Sequence, residues 1–185
     1  ESLSIDPGQA GSIFLVGSFG SFSGAISSGF IATRLKHKWT MVLALFLAGF
    51  SLISLQFVPS LQAIRGAMLV MGFAAGLMMP SCLATITAIV SRQDWGKALA
   101  VQQMAPPMAL VLGPLLAVMF VSMFAWTTTV AFLGSLVILV GLLFSWLGKV
   151  GDFPGDPPNF ALLKAILSQR SFWLIIVLFA LGMGA

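Results

Sequence analysis

"SGFIATRLKHKW", Ser28 to Trp39, gathers Arg34, Lys36 and Lys38, three of the nine Lys and Arg residues of the chain, into one short stretch. The sequence around it carries almost no charge: 8% of residues are charged, 59% are apolar, and mean hydropathy is +1.06. A water-facing surface needs roughly a quarter of all residues charged, so the solvent for most of this chain is a bilayer. The basic stretch is then the break between two membrane crossings.

Working outward, the runs from Pro7 to Thr33, Trp39 to Ile64 and Gly66 to Ser91 contain no Asp, Glu, Lys or Arg. Each exceeds the ~20 apolar residues that a spanning helix needs. The uncharged run from Ala98 to Gly148 is more than twice the length that crosses a ~30 Å hydrocarbon core, so it must turn back once. The expected turn lies in "SMFAWTTT", Ser122 to Thr129, where hydroxyls cluster and Trp126 suits the headgroup layer. Spans are expected at about 10–33, 40–57, 63–90, 98–121 and 127–148. A further apolar run starts at Ser171. The fold class expected is all-α, a polytopic transmembrane helical bundle.

Positive charge orients it. If the first span runs inward, the cytoplasmic segments hold Arg34, Lys36, Lys38, Arg92, Lys97, Lys149, Lys164 and Arg170, and only Arg65 lies toward the other side. This predicts a multi-pass protein of the plasma membrane, or of the inner membrane in a bacterium. The net charge of +4 follows from orientation, so no nucleic-acid partner is implied. The chain starts at Glu1 without an initiator Met and stops at Ala185 inside an apolar run. It therefore reads as a piece of a longer membrane protein.

Small and helix-breaking residues punctuate the spans. Gly17, Gly20, Gly24 and Gly29 lie among serines in the first, and Gly72 and Gly76 lie in the third. Such faces let helix backbones approach closely in lipid. Pro80 is expected to loosen the third span, and Pro106, Pro107 and Pro114 interrupt the fourth. Breaks at membrane depth survive where neighbouring helices or a watery cavity satisfy the freed carbonyls, which favours a protein with a pathway over an inert anchor.

"GFIATRLKHK", Gly29 to Lys38, resembles the signature joining the second and third helices of the major facilitator superfamily: Gly-x-Leu-Ala-Asp-Arg-x-Gly and two basic residues. Gly29, Ala32, Arg34 and Lys38 match it, whereas Thr33 replaces the aspartate, Lys36 the glycine and His37 a basic residue. The resemblance implies a cytoplasmic gate that lacks its usual carboxylate. "DWGKALA", Asp94 to Ala100, is similar to the loop entering the family's fifth helix, and "LGPLLA", Leu112 to Ala117, resembles the Gly-Pro core of that helix at Gly113 and Pro114. Ala100, Ala109 and Ala117 stand where an antiporter version has glycines. With "GFAAG", Gly72 to Gly76, as the Gly-rich run of the fourth helix, the family's arginine would fall at Met68, one turn inward of Arg65. The resemblance thus implies helices two to six and the start of seven of an N-terminal bundle lacking its first helix. It also implies partners in the remainder of the same protein, namely that first helix and a C-terminal bundle. It makes Lys149 to Arg170 the cytoplasmic link between bundles. Within it "GDFPGDPP" is a Pro/Gly-rich linker, and Asn159, Phe160, Leu163 and Leu167 outline a short amphipathic helix on the inner membrane surface.

Arg65 heads the candidates for handling a solute, since an arginine at the centre of a spanning helix costs about 2.5–3.5 kcal/mol on insertion scales. It attracts an anionic solute or snorkels to the outer interface. Gln102 and Gln103, before the Pro106–Pro107 break, face a cavity or bond a neighbouring helix. Ser81 and Thr85 share a face beyond Pro80, with hydroxyls that bind ligand or satisfy carbonyls. Met104 and Met108, with Met68, Met71, Met78, Met79 and Cys82 on the third span, offer soft sulfur for copper(I) or fill apolar gaps. His37 has no second histidine, and the lone Cys82 forms no internal disulfide. Asp94, Asp152 and Asp156 fall on the cytoplasmic side and Glu1 and Asp6 on the other, so no catalytic constellation, metal site or cofactor is expected. The expected function is secondary active or facilitative transport of a small solute by alternating access. The alternatives are a non-transporting sensor or scaffold with the same fold, and a copper(I) transporter.

Overall fold

A computed structural model describes residues 6–57, 60–156, 165 and 167–184. Its helices are α1 (Pro7–Ser54), α2 (Leu61–Ile89), a 3-10 turn (Arg92–Asp94), α3 (Trp95–Gln103), α4 (Ala105–Val121), α5 (Trp126–Leu147) and α6 (Arg170–Gly184). The expected amphipathic helix near Asn159, Phe160 and Leu163 lies outside the described residues. Among the described residues, four helical stretches are long and apolar enough to cross a membrane: Pro7–Ser54, Leu61–Ile89, Arg92–Val121 and Trp126–Leu147. The fold class is an all-α membrane bundle.

The first of these is two crossings in one. Asp6 caps its start, accepting a hydrogen bond from Gly8 N (3.3 Å) while Gln9 Oε1 accepts one from Asp6 N (3.3 Å), and Pro7 occupies the first turn, where its missing N–H costs nothing. Helix then runs over 48 residues with one interruption, Lys36, which sits at φ 66°, ψ 158°. One residue outside helical geometry reverses the chain, so α1 is a hairpin of legs 7–35 and 37–54.

Both legs pack on α2. A Cβ added at Gly20 or Gly24 would collide with the carbonyl oxygens of Leu69 and Phe73, and one added at Gly72 or Gly76 with those of Gly17 and Ser21. Residue numbers rise together on the two sides, so the first leg and α2 are parallel. Four glycines bring backbone against backbone, the geometry in which Cα–H···O contacts and dispersion replace the hydrophobic effect as the cement between helices in lipid. The second leg runs antiparallel to α2: Ser51 Oγ donates to Ala67 O at 2.8 Å, and deeper along the pair Ala44, Ala74 and Leu77 form the buried core. On its other side this leg meets α5, where a Cβ at Gly49 would lie 2.8 Å from Gly134 O and one at Gly141 3.2 Å from Leu45 Cβ.

The proline sites behave differently. α2 runs through Pro80 without interruption, whereas the chain breaks at Met104, so that Pro106 and Pro107 fall in the first turn of α4. Pro114 lies inside α4. α4 buries no residue, and the turn to α5 spans 122–125.

Candidate functional site

The glycine contact that joins the first leg of α1 to α2 also shapes a groove beside it. Removing side chains at Gly17 and Gly72 leaves an open trough of about 440 Å³ lined by Phe14, Ser18, Ser21, Met68, Met71 and Ala75 as well. Arg65, Met68, Gly72, Ala75 and Met79 are spaced three or four apart, one stripe along α2. Arg65 stands one turn beyond Met68 at the end away from the basic stretch. Its Nε and Nη2 both donate to Ser12 Oγ, at 3.2 and 2.8 Å, tying α2 to the start of α1. At the opposite end of the stripe Gln102 Nε2 donates to Met79 Sδ at 3.7 Å. The groove itself has apolar walls and two serines; Arg65 lies one turn beyond its lining at one end of the stripe, and the Gln102 amide meets Met79, one turn beyond Ala75, at the other. A second cavity of about 310 Å³, between α4 and α5 and lined by Phe120, Phe124, Thr128, Thr129 and Phe132, has aromatic walls and no charged group.

The other predicted residues lie elsewhere. Ser81 and Thr85 are buried on the opposite face of α2 from Met79; Thr85 Oγ1 donates to Ser81 O at 2.8 Å, and Ser81 Oγ has no partner among the described residues. Gln103 is exposed beside the α3–α4 break. Met104 and Met108 are both more than half exposed, while Met68 and Met71 line the groove. Of the signature residues, Gly29 has nothing within 4 Å of a Cβ position, and neither has Gly113.

A second construction, invisible in the sequence taken span by span, closes over the α1 hairpin. The segment after α5 lies across the elbow as a strap: Lys38 N donates to Gly151 O (2.8 Å), His37 N to Phe153 O (3.2 Å), and Gly155 N to Ala32 O (2.9 Å). Gly151 adopts φ +79°, and a Cβ there would stand 3.1 Å from both Lys38 N and Thr85 Oγ1. A Cβ on Gly155 would meet Ala32 Cβ at 2.9 Å, so the small residue at position 32 and the glycine above it fit one another. Lys36 Nζ pairs with Asp152 Oδ1 at 2.8 Å. His37 is buried beneath the strap with its ring 4.9 Å from that of Phe153 and its Nδ1 without a partner among the described residues. Burial holds the imidazole below its ordinary pKa, against the opposing pull of Asp156. The signal for this strap was the alternation of Gly and Asp in "GDFPGD", acidic and flexible, opposite the basic stretch.

An apolar helical bundle with glycine-faced crossings, a basic hairpin strapped by the segment that follows its last span, and an amphipathic groove defines a polytopic membrane protein built to pass a solute. The Major Facilitator Superfamily model matches residues 1–185. The chain belongs to that superfamily, and its general work is membrane transport. A search of curated proteins found no match.

Proposed function

We propose that the protein moves a small solute by alternating access, as a secondary active or facilitative carrier, and that the groove between the first leg of α1 and α2 is part of the path. The observation that carries this reading is the open, mainly apolar trough that Gly17 and Gly72 leave between the two helices, with Ser18 and Ser21 on its wall; Arg65 lies one turn beyond it and Gln102 reaches Met79 past its other end. Apolar walls with a few polar groups are what a small-molecule site requires. Ser18 and Ser21 supply hydroxyls along the way, and the unused edge of the Arg65 guanidinium faces an incoming anion better than a neutral solute. Ser81 and Thr85 support the elbow and its strap from below, a positioning role on the same transport cycle. Gln103 stands beside the break before Pro106, where the carbonyls of Gln102 and Gln103 lose their helical donors.

Among the described residues the one carboxylate within a spanning stretch is Asp94, exposed at the basic-side start of Arg92–Val121 and paired with Lys97, so a proton-coupled cycle would draw on an acid from outside these residues. The orientation follows the positive charges: the strapped elbow faces the cytoplasm. The test is flux. The protein reconstituted in sealed vesicles is loaded with a panel of radiolabelled anionic and neutral organic solutes, and exchange is followed with and without an imposed ion gradient. Exchange of any solute that stops on Gly72→Val supports a carrier. Binding without exchange supports the sensor or scaffold instead. Copper(I) flux that is lost when Met104 and Met108 are replaced would favour the third reading.

A further inference from the structure

We infer that the protein binds an anionic phospholipid headgroup at its basic side, in a site formed by Trp39, Trp146, Lys38 and Lys149. The inference requires only that the helices span a bilayer, and stands whether or not the groove carries solute.

The site is assembled by the antiparallel packing of the second leg of α1 on α5. The contact between Leu45 and Gly141 fixes their register. Trp39 lies six residues from Leu45 toward the basic end, and Trp146 lies five residues from Gly141 in the same direction, so at 1.5 Å per residue the two indoles sit at one depth to within about 2 Å. At about 100° per residue, each tryptophan falls a third of a turn or slightly more from its helix's contact residue, in the same rotational sense along its own chain. Because the helices run antiparallel, that sense brings both rings to one side of the pair. Both are open: Trp39 is 47% exposed and Trp146 83%, and a tryptophan at a span end belongs in the headgroup layer.

The lysines stand just outside them. Lys38 Nζ lies 5.6 Å above the Trp39 ring, which holds the ammonium at the indole's level instead of letting it swing into water. The hydrogen bond from Lys38 N to Gly151 O at 2.8 Å holds the segment that carries Lys149, two residues earlier and exposed, at the same end of the helix pair as Lys38. The nearby acids do not cancel this charge. Asp152 is paired with Lys36, and Asp156 faces His37. With Arg34, Lys36, Lys38 and Lys149 against Asp152 and Asp156, four positive and two negative charges leave +2. Two ammonium groups above two flat amphipathic rings match a phosphate with its glycerol and upper acyl chains. A zwitterionic headgroup would place its own cation against the lysines.

Tryptophan quenching by brominated-chain lipids tests the site. Replacing Trp95, Trp126 and Trp173 by Phe leaves Trp39 and Trp146 as the reporters among the chain's five tryptophans. In this background, brominated phosphatidylglycerol should quench with an apparent affinity on the order of tenfold above brominated phosphatidylcholine. The preference should approach unity in Lys38→Gln/Lys149→Gln, return in Lys38→Arg/Lys149→Arg, and survive Lys97→Gln, which removes a lysine paired with Asp94 elsewhere on the basic side. Variants are compared at equal helical circular dichroism. Equal quenching by the two lipids in the parent, or a preference that survives the double Gln variant or is lost equally in Lys97→Gln, would overturn the inference. Millimolar inorganic phosphate should leave quenching unchanged; displacement would assign the site to a soluble anion.

Discussion

Lys36, at φ 66° and ψ 158°, is held by an ion pair at 2.8 Å to Asp152, 116 residues further along the chain. The superfamily signature places a glycine at this turn, and that backbone region is nearly glycine's alone, costing another residue about 1–3 kcal/mol. The carboxylate absent at Thr33 has a counterpart from the strap. The two facts oppose one another: the lysine strains the backbone, and its ammonium fastens the strap.

Lys36→Gly settles which matters more. Both members of the ion pair are well exposed, 44% and 61%, and such pairs contribute little. Relief of strain wins, so the variant should unfold about 1 kcal/mol harder in a detergent thermal or denaturant titration, while Lys36→Ala, which keeps the strain and loses the pair, should be no more stable than the parent. The strap in Lys36→Gly should nevertheless dock less firmly, seen as faster hydrogen exchange at Gly155 N.

Glycine-to-alanine changes should divide by contact. At Gly72 or Gly76 the new methyl meets the carbonyl of Gly17 or Ser21, and separating two close-packed helices costs roughly 1–3 kcal/mol or more. At Gly29 it meets nothing within 4 Å, and a helix-interior alanine gains roughly 0.5–1 kcal/mol over glycine. Thermal unfolding of the three variants side by side reads out both signs.

The docking of the strap should depend on pH through His37. Burial lowers its pKa below the ordinary 6.5 more than Asp156 raises it. The undocked state therefore takes up a proton first, and docking is strongest above pH 6.5 and weakens as pH falls through the lowered folded value. The Lys36 hydrogen bond and charge hold Asp152 below its usual range, so that carboxylate stays ionised across the window. Hydrogen exchange at Lys38 N and Gly155 N, corrected for intrinsic rates, should accelerate on acidification, and His37→Phe should flatten the dependence.

Arg65→Gln should discriminate among solutes. It removes both hydrogen bonds to Ser12 Oγ and the positive charge one turn beyond Met68 of the groove. Binding of an anionic solute should weaken about tenfold or more, a loss typical of a charged hydrogen bond, and that of a neutral solute far less. Equal losses for the two would reduce Arg65 to a clamp between α1 and α2.

Much of this architecture is legible in one dimension. The absence of charge, the length of the runs and the position of the basic residues determined that the chain is an all-helical membrane bundle, because a bilayer leaves no other backbone structure to apolar segments of this kind. Gly113 and Gly29 look alike in sequence to Gly20 and Gly72, yet only the latter two touch a backbone; contact depends on how each helix is rotated, which glycine spacing alone does not specify. Ser81 and Thr85 were spaced to share a face, and they do, but the face turned out to be the buried one beneath the elbow. Only the tertiary structure decided that Arg65 reaches Ser12, that Gln102 reaches Met79, and that Asp152 reaches Lys36. Each of these joins residues on different helices, and their meeting depends on the register of close-packed surfaces rather than on the periodicity of any one segment.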